Sequence, residues 1–168
     1  AGFVMKIYRR VIPKIAKDIL RSLLVNKAIE VVDGRRDEAE LDIAGVFVEY
    51  LNNIDELNTD VKDALERHGL TQEMFGKVKR SLASNRKLII DNGAQEFVLE
   101  KLLGALFNSE NIEEIFAQDH EINKMITISL GKYLGVDEEL DREVRGRLKN
   151  LREGTVEWEI EYSSLIEQ

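Results

Sequence analysis

The chain has 168 residues, of which 43% are hydrophobic and 33% are charged, and it carries a net charge of −8. This composition allows a sizeable core and excludes a disordered acidic chain. Because cysteine is absent, disulfide frameworks, thiolate metal sites and cysteine nucleophiles are excluded. Only two histidines occur, which removes most metal-hydrolase and triad chemistry. With no apolar run of membrane-spanning length and no signal peptide, we expect a cytoplasmic protein that does not enter membranes.

The net charge conceals an alternation of basic and acidic segments. Residues 1–29 carry +6 and residues 67–87 carry +5, whereas residues 30–66 carry −9 and residues 88–168 carry −10. Charge runs usually mark solvated faces, and these segments could also neutralise one another within one fold. The alternative is that the two basic segments form one patch that meets phosphates or an acidic partner.

The chain also matches itself at an offset of 83 residues, with 13 identical pairs among the 62 that align without a gap. Amphipathic helices could match by periodicity alone, but one register over this length favours an internal duplication. Duplicated segments should superpose with Tyr50 and Tyr133 at the same turn of equivalent helices. The chain is then divided into a first helical repeat (5–66), a helical connector (67–87), a second helical repeat (88–149) and a C-terminal tail (150–168).

Each repeat is expected to contain a short extended start, a helix, a second extended piece and then two helices. In the first repeat, an amphipathic helix precedes a β-branched run at residues 28–32 and a second helix over 37–52. The single proline leaves two interpretations open. Pro13 either starts the first helix or kinks one that begins near Arg9.

Several helix ends carry recognisable residues. The sequence Asn53-Ile-Asp-Glu56 resembles a capping box, which would start a new helix that ends before Gly69. The sequence Asn92-Gly-Ala-Gln95 opens the first helix of the second repeat in the same way. A helix near 137–152 has acids at its start and bases at its end, as the helix dipole favours.

The segment 61–87 has the outline of a helix-turn-helix. A helix ends before Gly69, and after a tight turn Thr71 caps a second helix that runs to about Ser84, followed by a strand at 88–90. The overall acidity of the chain opposes general nucleic-acid affinity. Cations available for phosphates in this segment are Lys77, Lys79, Arg80, Arg86 and Lys87.

Basic residues also line one face of the first helix, opposite its apolar face. Any surface helix is amphipathic, but a polar face of a single sign is less usual. Together with the second basic segment, this face gives a candidate basic patch of Arg10, Lys14, Lys17, Arg21, Lys77, Lys79 and Arg80.

The C-terminal tail is rich in large apolar residues. One helical face carries Trp158, Tyr162, Leu165 and Ile166, although the alternation of Val156, Trp158, Ile160 and Tyr162 also fits a strand. We favour a helix that is capped by Thr155 and docks on the body or on a second chain. Trp158 and Tyr162 are the candidate anchors because they carry large apolar areas.

No pattern in the sequence indicates a catalytic, cofactor or metal site. The glycines form no phosphate-binding cluster, and neither histidine has a glutamate three residues before it. In Asp119-His120-Glu121, successive side chains on a regular helix point about 100° apart and cannot converge on one ion. His68 beside Gly69 is interpreted as a helix-end cation.

Two glutamate pairs recur in both repeats, which would suit a site with paired carboxylates. The pairs are Glu38 with Glu121 and Glu56 with Glu139. All four are expected near helix starts, where acids are common, so capping explains them better than catalysis. The sequence therefore predicts a protein that is not an enzyme and holds no cofactor.

Four segments are similar to a bacterial family of uncharacterised proteins, catalogued as domain of unknown function 507. They are Met5-Lys-Ile-Tyr-Arg-Arg10, Met74-Phe-Gly-Lys-Val-Lys-Arg-Ser-Leu-Ala83, Asp141-Arg-Glu-Val-Arg-Gly-Arg-Leu-Lys149 and Glu153-Gly-Thr-Val-Glu-Trp158. The resemblance covers nearly the whole chain from Met5, which we expect to be the natural start, with residues 1–4 added. It implies a bacterial cytosolic origin and a mainly helical fold, and it supplies no activity, ligand or catalytic residue.

The sequence thus predicts a mainly α, internally duplicated helical domain with a few short strands. We expect a non-catalytic protein-interaction module whose partner is another protein or a second copy of the chain. Nucleic-acid binding through residues 61–87 is the alternative function.

Overall fold

The computed structural model describes residues 6–134, 138–152 and 155–166. In this part of the chain the α-helices are α1 (Ile12–Val25), α2 (Arg36–Arg67), α3 (Phe75–Asn85), α4 (Ala94–Asn108), α5 (Asp119–Leu134), α6 (Glu138–Arg147) and α7 (Val156–Ile166). The remaining elements are strands β1 (Ile29–Val31) and β2 (Ile112–Ile115) and 3-10 turns at Arg9–Val11 and Gln72–Met74. The prediction of a mainly α fold with short strands is confirmed.

Helix α2 packs against three of the other helices. It contacts α1, α3 and α4, while α1 also packs along α5 and α6 packs against α7. The side chains of Phe47, Leu57 and Leu65 on α2 are fully buried. One long helix therefore carries the central part of the hydrophobic core.

The expected helix break at residue 53 is wrong, because α2 runs unbroken from Arg36 to Arg67. Ile54 packs against the core and Leu57 is buried, so the apolar spacing continues straight through the proposed capping box. The carboxylate of Asp55 accepts a hydrogen bond from Arg9 instead of capping a helix. Burial of a continuous apolar stripe outweighs a cap, which contributes only about 1 kcal/mol.

The structure decides between the two roles of Pro13. Helix α1 begins at Ile12, directly after the 3-10 turn Arg9–Val11, and Pro13 lies in its first turn. A proline at this position loses no intrahelical hydrogen bond, since the first N–H groups of a helix have no partner within it. Pro13 therefore starts the helix and does not kink it.

The two strands form a small antiparallel sheet in which Ile29 lies opposite Ile115. The β-branched run at 28–32 was therefore correctly predicted as a strand. The expected strand at 88–90 is wrong, because these residues have no ladder partner in the described chain. The backbone carbonyl of Ile89 accepts a hydrogen bond from the Tyr50 hydroxyl at 2.7 Å.

A partly buried polar cluster joins the first turns of α2 to the turn between α4 and β2. The carboxylate of Asp42 accepts hydrogen bonds from the Ser109 hydroxyl and from Asn111 Nδ2, the latter at 2.8 Å. The side-chain oxygen of Asn111 accepts a hydrogen bond from Arg35 Nε at 3.0 Å. Because Asn111 is buried, these bonds provide the partners that its amide would otherwise lack.

The order helix, strand, helix occurs twice along the chain. Helix α4 and strand β2 follow α1 and β1 at nearly constant spacing, and Tyr50 and Tyr133 each lie 14 positions after the first residue of their helix. The halves also differ, because the first contains the single helix α2 where the second contains α5 and α6. The two helices that the sequence predicts at the end of each repeat therefore occur in the second half but not in the first.

The C-terminal tail forms the predicted helix α7, and its cap is confirmed. The backbone N–H of Trp158 donates to the Thr155 hydroxyl oxygen at 3.3 Å. The Trp158 and Tyr162 rings stack with their centroids 4.8 Å apart, and the Arg145 guanidinium of α6 lies 5.1 Å from the Trp158 ring centroid. The tail therefore docks on the same chain. Glu153 and the side chain of Ile166 lie outside the described residues.

Helices α1, α2 and α3 all end with a residue in the left-handed conformation. These residues are Lys27 (φ 55°), Gly69 (φ 61°) and Lys87 (φ 57°). In each case the next backbone N–H bonds back into the last helical turn, for example from Ala28 to the Leu23 carbonyl at 2.9 Å. Two of these three Schellman-type ends therefore use a lysine where glycine is the favoured residue.

We expect Lys27→Gly and Lys87→Gly each to raise the free energy of unfolding by about 0.5–1 kcal/mol, because glycine removes the steric cost of the left-handed conformation and loses part of this gain as chain entropy. The control is Gly69→Ala, where a Cβ would meet nothing within 4 Å, so that only backbone strain changes. It should destabilise by about 1 kcal/mol. Chemical denaturation measures the free energy of unfolding of all three variants. Lower stability of both lysine-to-glycine variants would contradict a left-handed conformation at Lys27 and Lys87.

We also expect the tail to contribute to stability. Truncation after Glu153 and the variant Trp158→Ala should both lower the Tm, because Trp158 is buried. Loss of about 3 kcal/mol corresponds to a fall of about 6–12 °C for a chain of this size. Ile160→Ala on the exposed side of α7 is the control and should change little. Unchanged Tm and oligomeric state after truncation would mean that the tail is a free end.

Candidate functional site

The first four residues of the predicted basic patch lie at the surface around α1. Arg10 belongs to the 3-10 turn before the helix, and Lys14, Lys17 and Arg21 are exposed along one face of α1. The opposite face of the helix is apolar and buried. The spacing of apolar residues therefore fixes the direction in which these cations point.

A buried carboxylate lies beside these cations. Asp18 is only 7% exposed, and its oxygens contact Arg21 Nη2 at 3.4 Å and Lys132 Nζ of α5 at 3.3 Å. A buried carboxylate is costly unless it is paired, so Asp18 holds one cation on each helix in place. Both cations keep more than half of their side-chain area exposed.

Helices α1 and α5 run antiparallel. Just beyond the end of α1, the carbonyl of Ala28 accepts a hydrogen bond from Phe116 N at 2.8 Å, a few residues before α5 begins. Toward the other end of the pair, Asp18 of α1 contacts Lys132 near the end of α5. The polar faces of the two helices therefore lie side by side.

Five cations occupy this face of the helix pair, and together they are called the basic surface: Lys14, Lys17, Arg21, Lys124 and Lys132. Within the part of the chain that the structure describes, Lys14, Lys17 and Lys124 have no hydrogen-bond or ion-pair partner. Glu121 lies at one end of the surface, where its carboxylate accepts a hydrogen bond from Gln118 N at 3.4 Å.

Two large aliphatic side chains are exposed on the same helices. Val25 at the end of α1 is 73% exposed, and Ile128 of α5 is 59% exposed. At helical spacing, Val25 continues the row of Lys14 and Arg21, and Ile128 lies one turn from Lys124. The basic surface therefore combines positive charge with exposed apolar area.

The contribution of α5 to this surface was not found in the sequence. Lys124 and Lys132 lie in the acidic segment 88–168, whose net charge conceals them. Their spacing of eight residues, with Ile128 midway, places all three on one helical face and was the available indication. That they lie beside α1 is shown by the contact of Lys132 with Asp18, which is 114 positions away in the sequence.

The other three predicted patch residues lie on α3, which packs on α2. Lys77 and Arg80 are exposed, while the Lys79 ammonium lies 5.6 Å from the centroid of the buried Phe75 ring. The predicted helix-turn-helix outline is present, since α2 ends at Arg67 and α3 follows a turn. The cap that was predicted for the second helix is absent. Thr71 precedes a 3-10 turn and its side chain makes no capping hydrogen bond.

Acidic side chains border the segment that carries these cations. A groove of about 570 Å³ between α2 and α3 is lined by Asp60, Asp63 and Glu66 as well as by Arg67 and Arg86. The Arg86 guanidinium donates a hydrogen bond to Asp60. The second basic segment is thus partly neutralised by the acidic segment 30–66, as one of the two interpretations of the charge pattern expected.

A larger groove of about 1110 Å³ lies between α2 and α4. The rings of Tyr50 and Phe97 on its wall have centroids 6.0 Å apart, and the Lys101 ammonium lies 5.3 Å from the Phe97 centroid. Burial raises the pKa of Tyr50 to about 12, and the charge of Asp91 acts in the same direction. The hydroxyl therefore stays protonated and donates to the Ile89 carbonyl.

The two predicted tail anchors contact other parts of the same chain. Trp158 is buried, and the Tyr162 hydroxyl lies 3.3 Å from the Tyr8 hydroxyl. The Lys6 ammonium lies 5.4 Å from the centroid of the Tyr162 ring. Tyr162 therefore brings the N-terminal segment and α7 together.

The recurring glutamates occupy different kinds of position. Glu121 caps the first turn of α5, and Glu38 lies in the first turn of α2, where its carboxylate is 3.9 Å from Arg35 Nη1. Glu56 is exposed in the middle of α2, so its expected place at a helix start is wrong. The side chain of Glu139 lies outside the described residues.

Neither histidine forms a metal-binding group with the other described residues. His68 lies at the C-cap of α2, as predicted, and His120 is exposed in the first turn of α5. Across the described ranges 6–134, 138–152 and 155–166, no three histidine, aspartate or glutamate side chains are placed to share an ion. No described helix has the length and apolar character needed to cross a membrane.

Comparison with known proteins agrees with the resemblance carried by the four sequence segments. No curated protein matches the chain. A family model described as protein of unknown function (DUF507) matches residues 5–168, which is nearly the whole chain. The chain therefore belongs to the DUF507 family of proteins of unknown function.

Proposed function

We propose that this protein is a non-catalytic protein-interaction module that binds its partner through the basic surface. The observation that carries the proposal is the set of five cations held on one face of the α1–α5 pair. Three of them have no partner in the described chain, and the other two are held in place by Asp18. Opposite charges on a partner would pair with these groups and steer its approach.

The surface has a strong charge of its own within an acidic protein. Five cations and the carboxylates of Asp18 and Glu121 leave a local charge of +3, whereas the whole chain carries −8. Exposed apolar side chains beside the cations favour a protein partner, because protein interfaces bury apolar area as well as pair charges. The exposed aliphatic residues Val25 and Ile128 meet this condition.

The partner in this proposal is another protein or a second copy of the chain, and the site of action is the bacterial cytoplasm. An internal duplication is part of the same proposal. It is supported by the repeated element order and by the way the halves contact each other, since α1 packs on α5 while α4 packs on α2, and β1 pairs with β2. Exchange of contacts between equivalent helices is what a pseudo-twofold arrangement of two repeats would produce.

Nucleic-acid binding through residues 61–87 is the second candidate, and the helix-turn-helix outline of α2 and α3 favours it. A recognition helix needs exposed cations that track phosphates. The exposed Lys77 and Arg80 meet this need in part. The acids Asp60 and Asp63 line the adjoining groove and disfavour the approach of phosphates.

The proposed function is tested by photo-crosslinking in cells that produce the protein. A photoreactive residue is placed at Lys17 on the basic surface, with Lys62 on the exposed side of α2 as the matched control position. We expect a discrete adduct from position 17 that survives nuclease and is removed by protease. An adduct that nuclease removes, the same adducts from both positions, or no adduct would contradict the proposal.

The nucleic-acid alternative is tested by gel-shift titration at low salt. The wild type is compared with the variant Lys77→Ala/Lys79→Ala/Arg80→Ala. We expect weak or no shift for either protein, because acids lie beside these cations. Phosphate contacts also release counterions, so any binding should weaken steeply with added salt.

A variant with the same loss of charge on α1, Lys14→Ala/Lys17→Ala/Arg21→Ala, serves as the control in this titration. Strong and salt-sensitive binding by the wild type that only the α3 variant loses would reverse the order of the two functions.

A further inference from the structure

We propose that the basic surface accepts one acidic amphipathic helix of a partner protein. This inference rests on the proposed function and specifies the chemistry of the partner. The helix would lie along the seam between α1 and α5, with carboxylates facing the cations and an apolar stripe on the two exposed aliphatic side chains. Docking of an amphipathic helix along a groove is a common mode of peptide recognition.

The dimensions of the helix pair suit such an occupant. Helix α1 has 14 residues and α5 has 16, so the pair presents a seam of about 21–24 Å at about 1.5 Å per residue. Because the two helices are antiparallel, their polar faces together form a strip that is longer than it is wide. A partner helix of about 18 residues would extend about 27 Å and cover this strip from end to end.

The distribution of charge along the seam favours carboxylates on both sides of the partner helix. One row is formed by Lys14, Lys17 and Arg21 on α1, and the other by Lys124 and Lys132 on α5. The carboxylate of Asp18 contacts both rows, but it is buried and already paired with a cation of each helix. A helix with acids on both flanks could pair with both rows at once.

Two exposed aliphatic groups lie along the surface. Val25 ends α1 at the end of the pair where α5 begins, and Ile128 lies near the middle of α5. Apolar side chains of a partner at helical spacing would cover them. Phosphates of a nucleic acid would leave the same aliphatic area exposed to water.

The test uses the full-length protein and two synthetic peptides of about 18 residues, the length estimated above. The first peptide contains glutamate, leucine and alanine arranged as an acidic helix with one leucine stripe. The second has the same residues in an order without a stripe. In anisotropy titrations at low salt, we expect the amphipathic peptide to bind at least about tenfold more tightly, because only its leucines can reach the aliphatic side chains together.

Removal of three unpaired cations should weaken this binding. We expect Lys14→Ala/Lys17→Ala/Lys124→Ala to reduce the affinity about tenfold, since exposed charge pairs each contribute modestly. The control is Lys62→Ala/Lys77→Ala/Lys149→Ala, which removes three exposed lysines elsewhere and should leave the affinity unchanged. All six side chains are exposed, so circular dichroism should show folded proteins.

A second pair of variants tests the apolar part of the surface. Ile128→Ala should reduce the affinity several-fold, while Leu41→Ala, which truncates a similarly exposed residue on α2, should not. Equal effects of the two variants, or equal affinity for the two peptides, would overturn the inference of an amphipathic helix.

Parallel titrations identify other occupants. Binding of an oligonucleotide or of vesicles containing phosphatidylglycerol that displaces the peptide would overturn the inference in favour of a phosphate-bearing ligand. Failure of the acidic-helix inference is distinguishable from failure of the proposed function. A protein adduct at position 17 without peptide binding would refute the acidic helix alone, whereas the absence of that adduct would refute the proposed function.

Discussion

The structure depends on the burial of the apolar stripe of α2. Its side chains lie at helical spacing along 32 residues, and those of Phe47, Leu57 and Leu65 are fully buried. Burial of a large apolar side chain stabilises a fold by about 1.5–3 kcal/mol, so this one helix organises much of the core. Because α1, α3 and α4 all pack on it, their directions and outward faces follow from where α2 lies.

The basic surface is a consequence of this packing. Helix α1 buries its apolar face between α2 and α5, which leaves its cations only the outward side. Asp18 lies at the boundary of the buried face, where its carboxylate needs partners on both helices. The carboxylate is thus held by Arg21 and Lys132, and in return it fixes the positions of two cations at the surface.

The sequence predicted those features of the fold that depend on neighbouring residues. Features that depend on contacts between distant residues could not be predicted. The outward cations of α1, the Thr155 cap and the strand at 29–31 each depend on residues close together in sequence. The helix break at residue 53 was wrong because a local capping pattern competed with a long apolar stripe that only the core reveals. Lys132 could not be assigned to the surface, because its neighbour Asp18 lies 114 positions earlier.

The acidic remainder of the chain affects which anions can use the basic surface. Screening at physiological salt limits electrostatic interactions between exposed groups to about 8 Å. An extended polyanion that passes beyond the α1–α5 seam leaves the basic surface and meets the rest of a chain whose net charge is −8. A single helix of about 27 Å extends only about 3–6 Å beyond the seam and largely avoids this repulsion. The overall charge of the protein therefore favours a short acidic partner over a long one, although the cations alone would attract both.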